Sequence, residues 1–177
     1  MTAHPRLPRA ARLAAYRTFY RLPQDWRQRL VRLGTPGYTM GSVVLVRADN
    51  DGGGTDRLLL LRQPPGQGWS LPGGLLGRGE RPVDAAAREL EEETGVSVTA
   101  DDLRPGVPNA VVHTRGRWVD MVFEARVPLD IEFDVDEAEV HEAAWHRVDE
   151  LPRLTGPTAK LLAHYGLGPF ADRPEDD

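Results

Sequence analysis

Three glutamates, Glu89, Glu92 and Glu93, stand three and four residues apart in a stretch that reads as a helix over Pro82–Thr94. Pro82 suits the first helical position, where its missing N–H loses no hydrogen bond, and Gly95 suits a left-handed C-terminal cap. At about 100° per residue, Val83, Ala86, Ala87, Leu90 and Thr94 share one arc, which predicts the buried face. Glu89, Glu92 and Glu93 share another, with Glu93 nearest the apolar edge. Adjacent carboxylates repel one another unless something compensates. Hard divalent cations do so, and oxygen donors of this kind suit Mg²⁺ or Mn²⁺. Arg88, four residues before Glu92, can pair with it or orient a neighbouring carboxylate. A solvated acidic helix face has the same pattern, so helix geometry alone leaves both readings open.

The flanking segments supply a scaffold. Runs at 40–47 (MGSVVLVR) and 57–62 (RLLLLR) are β-type and are joined by Asn50-Asp51-Gly52-Gly53-Gly54, which predicts a hairpin. The glycines do not make a phosphate loop, since no Gly-Lys-Ser/Thr follows, and Leu60 occupies the closing position of a calcium loop. Residues 64–79 read as a loop anchored by Trp69 and Leu71. Further strands are expected at 96–98, 110–113, 117–127 and 144–148, and a last helix at 157–165. Strands interleaved with helices predict a layered α+β domain.

Length and composition narrow the classes. A chain of 177 residues is one ordinary domain with a little to spare, and 40% hydrophobic residues can build its core. No apolar run reaches membrane-spanning length, and zero Cys excludes disulfides, thiolate metal sites and a Cys nucleophile. The absence of Cys fits a reducing compartment, and a cytoplasmic location is expected. A net charge of -5 argues against general nucleic-acid binding. Residues 1–33 nevertheless carry eight Arg and one acid, Asp25, for +7, which leaves -12 on the rest. Leu13, Ala14, Tyr16, Phe19 and Tyr20 lie among those arginines at helical spacing. A second short helix is expected over 24–33, ended by Gly34 and Pro36. An Arg-rich start also resembles a transit peptide or an anionic-surface helix; a helical extension packed on the domain is the preferred reading.

The wider spacing around the glutamates decides between the two readings of that helix. Gly74, five residues, Glu80, seven residues, then Arg88-Glu89-Leu90-Glu91-Glu92-Glu93-Thr94-Gly95-Val96 resembles a complete Nudix box, Gx5Ex7REUxEExGU with U aliphatic. The preceding Trp69-Ser70-Leu71-Pro72-Gly73 is similar to the usual lead-in. The resemblance implies an α/β/α sandwich with a mixed sheet over 37–165; outside it lie a basic helical extension expected over 1–36 and an acidic tail over 166–177, both read from their residues. It also implies hydrolysis of the pyrophosphate bond in a nucleoside diphosphate linked to another moiety, by attack of water on phosphorus with Mg²⁺ or Mn²⁺.

Position by position, the resemblance makes Glu89, Glu93 and the Gly73 carbonyl metal ligands, and Glu92 a third ligand or a base. Arg88 would hold the catalytic glutamate, and Glu80 would act behind the ligands or through water. A later carboxylate is expected from Asp136, Glu137, Glu139 or Glu142, with Glu139 preferred as base or extra ligand. Arg62 and Arg78 are candidates to hold substrate phosphates, with ordinary surface arginine as the alternative. Trp69 could stack on a base or pack in the core, and His113 is read as structural. The partner expected is a small nucleoside diphosphate derivative, with no nucleic acid or membrane and a possible homodimer. The NADH-type and coenzyme A-type motifs of the family are absent. A Nudix-fold sensing module with little turnover is the alternative function, and retention of every box carboxylate favours the enzyme.

Overall fold

The computed structural model describes residues 8–35, 37–49, 56–64, 68–114, 116–136 and 138–173. The chain divides into two compact units, Met1–Gly37 and Tyr38–Asp177. The first contains α1 (Arg9–Arg21) and α2 (Gln24–Gly34), which meet at Pro23, the N-cap of α2. Neither helix buries a residue. Trp26, Leu30 and Leu33 are exposed at helical spacing on α2, and the Arg29 guanidinium lies 5.7 Å from the Trp26 ring centre.

The second unit is built on one seven-stranded mixed sheet. Its strands are β1 (Thr39–Asp49), β2 (Arg57–Arg62), β3 (Trp69–Ser70), β4 (Gly73–Leu75), β5 (Arg104–His113), β6 (Trp118–Pro128) and β7 (Glu142–Arg147). The main path runs β3-β2-β1-β6-β5, with β4 also paired to β1 and β7 to β2. β1 runs parallel to β6 along its whole length, from Thr39↔Trp118 to Asp49↔Pro128. It is antiparallel to β4 at Gly41–Val43 and to β2 near Arg47↔Leu58. The expected pairing of the first two long strands is therefore present; the Asn50–Gly54 turn lies outside the described residues. Between β1 and β6 the chain crosses over through α3 (Pro82–Thr94), the kind of connection that parallel neighbours require.

Period-2 alternation sorts the strand side chains onto two faces. Val44, Val46, Leu59, Phe123, Ala125 and Val127 pack with Ala86 and Leu90 of α3. Leu45, Leu58, Leu60, Val111 and Val122 pack with Leu161 and Leu162 of α4 (Gly156–Ala163) on the other face. The result is the expected α/β/α sandwich with a mixed sheet. Among the described residues, no helix is long and apolar enough to cross a membrane.

Four sequence expectations are corrected. The stretch 64–79, read as a loop, contains the strands β3 and β4. Residues 96–98 form no strand: Val96 is buried and Val98 half-buried because they cover the core beneath α3, without joining a ladder. β5 begins at Arg104, not at 110, and carries Pro105 and Pro108 across a register shift between Pro105 and Ala110. An edge strand tolerates prolines at such an irregularity, and their presence hid the strand from its sequence. The last helix ends at Ala163, and a turn occupies 164–166.

α3 ends where its sequence predicts. Gly95 adopts φ 72°, and its N–H donates to the Glu91 carbonyl at 2.8 Å. A Cβ there would lie 2.9 Å from the Asp134 Cβ, so both conformation and space demand glycine. Gly95→Ala is expected to lower the unfolding free energy by about 1–2 kcal/mol, measured by urea denaturation. A loss below a few tenths would show that the cap does not hold the helix end.

Candidate active site

The carboxylate helix is fixed at both ends before any of its glutamates is placed. Ser42 Oγ on β1 donates to the Pro82 carbonyl at 2.7 Å, tying the first turn to the sheet. Arg81 forms a two-bond pair with Asp84, each bond 2.6 Å. At the far end Thr94 Oγ1 donates to the Leu90 carbonyl at 2.6 Å, and the Thr94 carbonyl accepts the Asp134 N–H at 2.9 Å. Ala85, Ala86, Leu90, Glu93 and Thr94 are buried; Val83 and Ala87 are only partly so. The buried face is thus rotated toward Ala85 relative to the expected arc, and it takes Glu93 with it.

The Gly73–Gly74 segment of β4 runs directly against this face. Gly73 has φ +151°, and a side chain on it would overlap the Ser42 carbonyl and Val43 of the neighbouring strand. A Cβ on Gly74 would overlap the Glu89 carboxylate. Two consecutive glycines therefore let backbone and carboxylates approach to a distance that other residues forbid.

Arg88 gathers most of the negative charge. Its Nε and Nη2 donate to the two Glu80 oxygens at 2.9 and 3.1 Å. Its Nη1 donates to Glu89 Oε1 and to Glu92 Oε2, both at 2.8 Å, and Nη2 reaches the Leu75 carbonyl at 3.2 Å. Hydrogen bonds from Arg88, then from the Gly77 N–H, hold the Glu80 carboxyl below its ordinary range. Arg88 in turn is held charged, chiefly by Glu80 and Glu89.

Glu93 is in a different situation. It is only 5% exposed. Its Oε2 accepts the Gly73 N–H at 2.8 Å, and its Oε1 accepts Gln63 Nε2 at 2.6 Å. Burial pushes its carboxyl up to about 7, and the charges of Glu89 and Glu139 push the same way against the Gly73 and Gln63 hydrogen bonds. Glu139, exposed in the loop before β7, therefore acts electrostatically on the same spot as the helix. Of its rivals, Asp136 accepts the Ala138 N–H in that loop, Glu142 pairs with Arg62 at 3.0 Å, and Glu137 lies outside the described residues.

The structure brings Gly73, Glu80, Arg88, Glu89, Glu92 and Glu93 together, with Glu139 within electrostatic reach. Arg62 is turned to Glu142 and lies 5.9 Å from the Trp69 ring centre. Arg78 is exposed on a turn. Trp69 is half-buried and packs against the core that holds Leu58, Leu60 and Leu71, with His146 edge-on to it at 4.3 Å. His113 is buried, stacked on Trp118 and paired with Asp120 at 3.0 Å, on the sheet face that carries Val111 and Val122. Sequence reading missed Gln63 and Ser42. Gln63 continues the alternate row of Leu59 and Leu61, and a polar residue in that row was the available signal.

Whether these residues suit a divalent cation follows from their chemistry. The donors are carboxylate and carbonyl oxygens, the set that hard cations prefer. The glycine cradle keeps side chains out of the space beside Glu89. Among the described residues, no three His, Asp or Glu side chains close around one point in the arrangement seen. Glu89 and Glu92 are turned to Arg88, while Glu93 is held by neutral donors and left with unbalanced repulsion. The donor set fits such a cation, and Arg88 is its competitor for two of the carboxylates.

The raised Glu93 carboxyl has a sign-definite consequence for the metal-free protein. Between the ordinary value of 4.5 and about 7, the folded state holds a proton that the unfolded state has lost. Stability from this group is full below 4.5 and is lost as pH rises through 7, by on the order of 3 kcal/mol. Urea titrations in a chelator from pH 5 to 8 should show this decline in the wild type and not in Glu93→Gln. Parallel curves for the two proteins would mean that Glu93 titrates as an ordinary carboxylate.

Comparison with known proteins bears on the same segment. A family model described as NUDIX domain matches residues 38–165. A MutT-like protein of Streptomyces ambofaciens is 35% identical over 108 residues, 61% of this chain and 62% of that protein. An RNA pyrophosphohydrolase of Erythrobacter litoralis is 32% identical over 106 residues, 50% of this chain and 65% of that protein. The chain thus spans less than two thirds of the length of these curated relatives. The crystal structure of a MutT NUDIX hydrolase from Burkholderia pseudomallei superposes with a TM-score of 0.53 at 27% identity, covering 70% of this chain and 94% of that one. With the model spanning the whole sheet and its carboxylate helix, the chain belongs to the Nudix hydrolase family.

Proposed function

We propose that this protein hydrolyses the pyrophosphate bond in a nucleoside diphosphate linked to another moiety, by attack of water on phosphorus, with Mg²⁺ or Mn²⁺ as cofactor. The observation that carries the reading is Glu93: a buried carboxylate pressed by two others, held only by an amide and a backbone N–H, beside a glycine backbone with no side chain in the way. Such an arrangement is unfavourable by itself and becomes favourable when positive charge is added. The pyrophosphohydrolase relative supports the reaction class, and the retained box carboxylates support turnover over sensing.

In this reading Glu89, Glu93 and the Gly73 carbonyl hold the cation, with Glu92 as a further ligand or a base. The cation, when bound, neutralises pyrophosphate oxygens and makes an attacking water more acidic. Arg88 keeps Glu89 and Glu92 close together, and Glu80 anchors Arg88. Glu139, on a loop outside the helix, is the group best placed to take the proton from water, because it reaches the site without being bound to Arg88. The substrate is a small nucleotide derivative, and Arg78 and Arg62 are the candidates to hold its phosphates, Arg62 after leaving Glu142.

The test is a panel of nucleoside triphosphates, ADP-ribose, NADH, nucleotide sugars, dinucleoside polyphosphates and a 5′-triphosphorylated RNA, with and without Mg²⁺, products read by mass spectrometry. One compound should be cleaved only with metal. Glu93→Gln should slow that cleavage by at least roughly 100-fold, the upper end of what losing a supporting residue alone costs. Binding without cleavage across the panel would replace the enzyme by the sensing module.

A further inference from the structure

Along β2, Leu59 packs beneath α3 and Leu61 is fully buried two residues on. By strand alternation the next place in that row belongs to Gln63, just past the strand end. An apolar residue would continue the core there. Instead a half-buried amide occupies the place and spends both ends on hydrogen bonds. Its Nε2 donates to Glu93 Oε1 at 2.6 Å, and its Oε1 accepts from Ser70 Oγ at 3.2 Å.

The direction of this short relay is determined. Ser70 sits on β3, whose pairing with β2 at Leu61↔Ser70 brings its hydroxyl to the amide. The single Ser70 proton also has the Leu61 carbonyl within 3.4 Å, a longer contact. With the hydroxyl donating to the amide oxygen, the amide NH₂ must face Glu93. Turned over, the amide would set its oxygen against Glu93 in its ionised form, the form that binds a cation, a repulsive contact in a buried place. Glu93 is thereby held at both oxygens, by Gln63 on one side and the Gly73 N–H on the other. Its remaining lone pairs are the ones available to a ligand.

We propose that Gln63 is a positioning residue of the metal site: it fixes the Glu93 carboxylate in its ligating orientation, with Ser70 setting the sense of its amide. The proposal rests on the reading that Glu93 is a metal ligand. Gln63 does not touch substrate; it acts through Glu93. Partners of this kind behind metal ligands typically carry a 10–100-fold effect on metal affinity, and about that loss is expected here.

The experiment is a titration of the full chain with Mn²⁺, reading free Mn²⁺ by electron paramagnetic resonance, with metal-free melting temperature as a fold control. Wild type should bind Mn²⁺, and Glu93→Gln should bind it weakly. Gln63→Leu, similar in size but without hydrogen bonds, should weaken binding by about 10-fold or more. Ser70→Ala should show a smaller loss and Ser70→Thr, which keeps the hydroxyl, should restore wild-type affinity. For a cleaved substrate, Gln63→Leu should lower kcat with KM nearly unchanged. Mn²⁺ affinity of folded Gln63→Leu within about twofold of wild type would overturn the proposal alone. Should that variant fail to fold, equal affinities for Ser70→Ala and Ser70→Thr would overturn it. If wild type and Glu93→Gln bind Mn²⁺ alike, the reading of Glu93 as a ligand falls, and the role of Gln63 falls with it.

Discussion

The second unit is organised around four carboxylates gathered at α3, one of them buried. Glu80, Glu89 and Glu92 share Arg88, and among the described residues Arg88 alone of the direct hydrogen-bond partners of these three and Glu93 brings positive charge. One guanidinium with a rigid fork of donors can serve three carboxylates; a lysine, a single point of charge on a flexible stem, could not. The fourth carboxylate is left to neutral donors. That division, three glutamates on an arginine and one against a backbone amide, sets apart the carboxylate that is short of positive charge.

The sheet exists in the form that makes this division possible. β1 divides one edge between β4 and β2, and gives its other edge to β6. Because β4 pairs with the first half of β1, Gly73 and Gly74 are held in strand register where α3 crosses, not on a free loop. The Ser42 hydroxyl joins the same short stretch of β1 to the first turn of α3. Backbone donor, helix start and central strand therefore move as one block. Sites held this way on regular elements keep sub-ångström placement better than sites held on loops.

What could be read from the sequence was local. Pro82, Gly95 and a 3.6-residue rhythm delimit α3 to the residue, and the i,i+4 relation of Arg88 to Glu92 is a property of any helix. Short apolar runs at 40–47 and 57–62 marked the two central strands, also a local signal. Relations set by strand register were not legible. Val96 and Val98 look like a strand because apolar β-branched residues serve equally to cover a core. Pro105 and Pro108 disguised the first half of β5. Gln63 becomes a partner of Glu93 only because the Leu59 row of β2 packs beneath α3, a tertiary relation that sequence spacing does not carry.

The two donors that hold Glu93 lie at opposite ends of one excursion of the chain, Gln63 where β2 ends and Gly73 where β4 begins. A single side chain on α3 thus closes that excursion like a clasp. Closing a loop depends only weakly on its length, each doubling adding about 0.6 kcal/mol. Between Gln63 and Gly68 the chain can accordingly change length at little cost, whereas Gly68, Ser70 and Leu71 are fixed by close packing, β3 pairing and burial. In evolutionary terms, length can be added to that short stretch while the clasp on Glu93 keeps its geometry.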